Sequence, residues 1–109
     1  MVTNQFEQCI RECYACATAC DTCAAACLEE PNVQEMVGCI RLDLDCAEVC
    51  RCGAGVMGRG SDIAANVCAL CADVCAACAQ ECGKHAMEHC QACARACERC
   101  AQACRAMAA

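Results

Sequence analysis

The chain has 109 residues, of which 20 are cysteine, one is Phe, one is Tyr and none is Trp. A formal charge of −6 offers no basic face to a nucleic-acid partner, and no apolar run approaches the roughly 20 residues that cross a membrane. Alanine is abundant while strand-forming β-branched and aromatic residues are scarce, so the composition predicts an all-α chain, and the length suits one domain over residues 1–109.

The first predicted helix runs from about Asn4 to Leu28 and ends before Pro31 in "EEPN". It carries Cys9, Cys13, Cys16, Cys20, Cys23 and Cys27, spaced by alternating gaps of four and three. The second runs from about Val33 to Cys52 and keeps the same frame with Met36, Cys39, Asp43, Cys46, Cys50 and Gly53, leaving Cys52 off it. "GAGVMGRG", with four glycines in eight residues, reads as a loop. Ser61 or Asp62 is the expected cap of the third helix, which continues to about Cys82 with Gly83 as its C-cap. It carries Cys68, Cys71, Cys75, Cys78 and Cys82. A turn at "GKHAM" leads to the fourth helix, with Cys90, Cys93, Cys97, Cys100 and Cys104, ending near Met107. Segments of 20–25 residues span roughly 30–38 Å, and short connections favour an antiparallel up-down-up-down four-helix bundle.

Alternating spacings of three and four form the a/d seam of a bundle, so nineteen of the twenty cysteines aim at one shared axis. A cysteine can act as a small buried hydrophobe, but a core needs larger side chains to fill its volume. Disulfides fit poorly, because helical neighbours have Cβ atoms about 5–6 Å apart, against roughly 3.5–4.5 Å across a disulfide. Two thiolates at that spacing reach one metal ion through bonds of about 2.3 Å each. Zinc and iron–sulfur sites favour loop-borne cysteines around discrete centres. A continuous ladder of soft thiolates selects Cu(I). Buried thiolates need compensating cations, which sets a capacity on the order of 20 Cu(I) ions per chain. That capacity points to storage.

These ladders, with "CIRLDLDCAEVC" and "CALCADVCAACAQECGKHAMEHCQACARACERCAQAC", resemble the cytosolic branch of the bacterial copper storage proteins over nearly the whole chain. The resemblance implies a four-helix bundle filled with Cu(I), held mainly by thiolate pairs, and a homotetrameric assembly. Exported relatives carry a twin-arginine signal. The start "MVTNQFEQC" has none, nor an apolar leader, so the expected location is cytoplasmic, where thiols stay reduced.

Extending each heptad past its last cysteine distinguishes the two ends. One end gathers His85, His89, Met36 and Met87, which bind Cu(I) reversibly and form the expected copper entrance. The other gathers Phe6, Gly53, Ala64 and Met107, with Val56, Met57 and Ile63, as an apolar plug. Asp43 is a hard ligand in a soft seam, so a hydrogen-bonding role is expected of it. Cys52 is expected to be the least occupied thiol.

Two further apolar stripes lie off the seam, Val33, Val37, Ile40 and Leu44 on the second helix and Ile63, Val67, Leu70 and Val74 on the third. They suit subunit contacts. The alternatives are a general zinc or cadmium thiolate buffer and a thiol redox protein. A redox protein needs one accessible low-pKa cysteine with a resolving partner, and no pair stands out. No acid/base pair, phosphate loop or nucleophile triad is visible, so an enzyme is not expected, and the copper donor or acceptor is unknown.

Overall fold

The computed structural model describes residues 4–108. Four long helices follow in order: α1 (Glu7–Cys27), α2 (Val37–Gly58), α3 (Ala64–Gly83) and α4 (Glu88–Ala108). Short 3-10 turns at Asn4–Phe6 and Val33–Met36 lead into α1 and α2. Each helix packs on its neighbour in sequence, and α4 closes the ring against α1. The result is the expected up-down-up-down bundle, 48 Å long and 21 × 18 Å across.

The narrow cross-section follows from the residues that face inward. On α1 the buried set is Cys9, Cys13, Cys16, Ala17, Cys20, Cys23, Ala24 and Cys27. Alanine recurs one heptad apart beside the cysteine seam at Ala17 and Ala24, at Ala47 and Ala54, and at Ala94 and Ala101, all buried. Small side chains at the flanks let the helix backbones approach closely. The axis between them is filled by thiols, with the larger Met36 and Met57 side chains buried towards its two ends.

The glycine-rich stretch is not the loop its composition suggests. α2 continues through Gly53, Gly55 and Gly58, although each costs about 1 kcal/mol of helix propensity relative to Ala. Val56 and Met57 in the same turn are buried, and each contributes about 1.5–3 kcal/mol by leaving water. Burial outweighs propensity. The helix ends instead at Gly58, and the chain turns away at Gly60, whose φ of 64° is the only positive one among the described residues. There Ser61 N–H donates to the Val56 carbonyl at 2.9 Å and Gly60 N–H to the Met57 carbonyl at 3.0 Å, the Schellman arrangement.

Two expected caps also differ. Ser61 sits two residues early, its Oγ accepting from the Ile63 N–H at 3.3 Å, and Ile63 occupies the N-cap position of α3 without a side-chain cap bond. Gly83 is the last helical residue of α3, and Lys84 follows it with a right-handed φ of −74°. The α3–α4 turn is held by the Gln91 amide, which donates to the His85 carbonyl at 2.7 Å and the Gly83 carbonyl at 3.2 Å.

Candidate metal centre

Because every helix presents cysteine at its inward positions, closing the ring stacks the thiols into one column. All twenty cysteines are free thiols, nineteen of them buried. Cys52 is exposed, one residue short of the seam position at Gly53, and stands outside the column although it belongs to the expected metal-binding set. The notched frame of α2 is visible in the burial of Met36, Cys39, Asp43, Cys46, Cys50 and Gly53.

Along each helix, sulfurs four residues apart lie 3.8–3.9 Å from one another, as at Cys23–Cys27, Cys46–Cys50, Cys71–Cys75, Cys93–Cys97 and Cys100–Cys104. Cross-helix distances run from 3.2 to 4.0 Å: Cys39 to Cys82 is 3.2 Å, Cys16 to Cys97 and Cys46 to Cys75 are 3.6 Å, and Cys20 to Cys78 is 4.0 Å. Two metal–sulfur bonds of about 2.3 Å span about 4.6 Å when linear. An opening of roughly 0.6–1.4 Å therefore seats one ion between two sulfurs, within reach of thiol rotamer adjustment.

Groups of four sulfurs, all within 4.8 Å of one another, repeat along the axis. Examples are Cys13, Cys71, Cys100 and Cys104; Cys16, Cys46, Cys50 and Cys75; Cys20, Cys78, Cys93 and Cys97; and Cys23, Cys27, Cys39 and Cys90. Another group, Cys16, Cys20, Cys46 and Cys97, shares members with two of these. The sites overlap, so the column is a continuous lattice in which thiolates are shared between ions.

Protonation in the lattice is cooperative. Cys46 is held far below the ordinary thiol range because Cys16 and Cys20 donate to its sulfur. Cys97, beside Cys16, and Cys50, beside Cys100, are pushed far above it. One thiolate thus keeps its neighbours protonated. Nearer the ends, burial raises Cys68 and Cys90 to about 11. The remaining protons leave only when a cation replaces them.

Asp43 is fully buried in this column. Its Oδ1 accepts from Cys78 at 3.3 Å, Cys82 at 3.3 Å and Cys93 at 3.2 Å, and its Oδ2 from Cys39 at 3.7 Å. The carboxyl gathers S–H donors from three helices, the hydrogen-bonding role expected of it. Burial first, then the Cys93 and Cys39 sulfurs, push its pKa up to about 8.

The four residues expected at the entrance lie at the α1–α2 and α3–α4 turns. Met36 is buried, and Met87 packs against the core from the α3–α4 turn. His89 Nδ1 is 3.4 Å from the Cys23 sulfur and 3.5 Å from that of Cys90. Its Nε2 is 2.9 Å from Glu30 Oε2. His85 is held differently, with Nε2 at 3.1 Å from Glu81 Oε2. Sequence reasoning did not find these two glutamates. The Glu81–His85 spacing of four on one helix is legible, whereas Glu30 meets His89 only through the fold. At the opposite end Val56, Met57 and Ala64 are buried and Phe6 and Met107 pack against them, but Ile63 is 52% exposed. A surface cleft of about 390 Å³ lies there, between Phe6, Ser61, Asp62 and Met107.

A helical ring enclosing a column of shared soft ligands is a multinuclear thiolate metal-binding protein. The model of the copper storage protein family matches residues 2–109, and the chain belongs to that family. The Cu(I)-bound copper storage protein BsCsp3 superposes with a TM-score of 0.94 at 49% identity, covering 97% of this chain and 100% of that one. A cytosolic copper storage protein from Streptomyces lividans, bound to five coppers, gives 0.92 at 45% identity over 95% of this chain and 92% of that one. An uncharacterized cysteine-rich protein of Bacillus subtilis (strain 168) is 50% identical over 64 residues, and this match covers 59% of each chain.

Proposed function

We propose that this protein stores Cu(I) as shared thiolate clusters along the axis of the bundle, to a capacity on the order of 20 ions per chain. The observation that carries this reading is the overlap of the four-sulfur groups, with Cys16, Cys20, Cys46 and Cys97 each belonging to two. A divalent ion in a closed tetrahedral site takes four ligands, so nineteen thiols seat fewer such ions than Cu(I) ions held by thiol pairs. Cu(I), with its low coordination number and single charge, fills and neutralises a shared lattice.

Cu(I) is received at the end bearing His85, His89, Met36 and Met87, and passes from thiol pair to thiol pair along the axis. Each step exchanges thiol protons for metal charge. Cys52, being exposed, lies off this route. A cytosolic location is supported by the Streptomyces lividans relative, described as cytosolic. Assembly as a homotetramer is supported by exposed apolar side chains on α2 and α3, Val37, Leu44 and Leu70. The chemistry proposed is binding and release, without catalysis.

Anaerobic titration with Cu(I) and with Zn(II) against competing chelators tests the reading. Tight uptake of many Cu(I) ions with weak zinc uptake is expected; the reverse order makes the protein a zinc buffer.

A further inference from the structure

Every thiol in the column lies among other thiols or against Asp43, but the pair Cys23 and Cys90, 3.8 Å apart, also faces a nitrogen. His89 Nδ1 stands within 3.5 Å of both sulfurs. The opposite ring nitrogen, Nε2, meets the carboxylate of Glu30 at 2.9 Å. Glu30 comes from the turn between α1 and α2, whereas His89 lies in the first turn of α4, so the contact joins two chain segments across the mouth. Both side chains are mostly buried, 19% exposed for His89 and 25% for Glu30.

A neutral imidazole carries its proton on one nitrogen, and the partner of each nitrogen decides which. An ionised carboxylate only accepts, so it selects the tautomer with the proton on Nε2. The lone pair is then on Nδ1, aimed at the Cys23 and Cys90 sulfurs. We propose that Glu30 is the positioning residue of the copper entrance: it locks His89 in the Nε2-protonated tautomer, so that Nδ1 and the Cys23 and Cys90 sulfurs form a ready three-ligand acceptor for incoming Cu(I). This rests on the Cu(I)-storage reading above. His85 lacks the second half of this arrangement among the described residues: its Nε2 pairs with Glu81, a neighbour one turn back on α3, while its backbone carbonyl is tied to Gln91. The two histidines at the mouth are therefore unequal, and His89 is the one prepared for metal.

The test is Glu30→Gln, which preserves shape while its amide can either accept from Nε2–H or donate to a bare Nε2. In metal-free, reduced wild-type protein, two-bond proton–nitrogen NMR correlations of His89 show the Nε2-protonated tautomer. Glu30→Gln shifts His89 toward a tautomer mixture, whereas Glu81→Gln leaves it unchanged. In stopped-flow loading Glu30→Gln takes up its first Cu(I) about tenfold more slowly, the low end of the usual effect of losing such a partner, with copper per chain at saturation unchanged. A wild-type His89 protonated on Nδ1, or a Glu30→Gln protein that loads at the wild-type rate, overturns the proposal. The tautomer measurement needs no copper, so its failure is distinct from a failure of the wild-type protein to store copper.

Discussion

Asp43 should make the metal-free protein less stable as pH rises from acid to neutral. Its pKa moves from 3.8 to about 8 in the fold, chiefly through burial. Between those values the folded protein holds a proton that the unfolded chain has released. Stability is therefore complete below about pH 4 and falls by about 1.4 kcal/mol per pH unit until the carboxyl ionises near pH 8. The whole window amounts to a loss on the order of 5 kcal/mol. Asp43→Asn keeps an oxygen to accept from Cys78, Cys82 and Cys93 and removes the titration. Urea unfolding of both metal-free proteins, anaerobic and reduced, at each pH from 5 to 8 isolates the carboxyl, because the thiols are common to both. The wild-type midpoint should fall with pH relative to that of the variant. Parallel profiles would refute a buried, proton-holding Asp43.

The metal-free protein should already be folded, since the alanine flanks and buried thiols pack without an ion, and circular dichroism should change little on adding copper. An apo-protein that becomes helical only with copper contradicts this packing. Replacing both His85 and His89 with apolar residues should slow uptake and removal while leaving final capacity nearly unchanged. Substoichiometric copper should appear first around Cys27, Cys82 and Cys90; partial-loading crystals with copper first at Cys9, Cys68 and Cys104 would move the entrance to the other end. Gly53→Ala, where a Cβ meets only ordinary contacts at 3.8 Å, should raise stability by about 0.5–1 kcal/mol, whereas Gly60→Ala, at a φ of 64°, should lower it by about 1 kcal/mol. Thermal unfolding of the two variants compares them directly.

The bundle and its thiol column are legible in the sequence because one periodicity carries both. The heptad that makes each helix amphipathic is the spacing that aligns its sulfurs, so Cys68 through Cys82 specify helix face and ligand set together. Cys52 is recognised as off the seam by the same arithmetic. The course of α2 beyond Cys52 is not legible, because propensity is local while the burial of Val56 and Met57 depends on their neighbours in the fold. Asp43 falls in the frame by counting, but its four thiol donors come from three helices. Glu30 lies 59 residues from His89, and no pattern within one helix connects them.

Copper per chain at saturation tests the central claim most directly. The fully reduced protein is loaded anaerobically with excess Cu(I), freed of loose metal by a chelator, and measured by elemental analysis beside a Cys52→Ser variant. Storage in a shared lattice predicts on the order of 20 ions per chain, with the variant nearly the same. Saturation at one or two ions, or a capacity halved by the loss of Cys52, would contradict it.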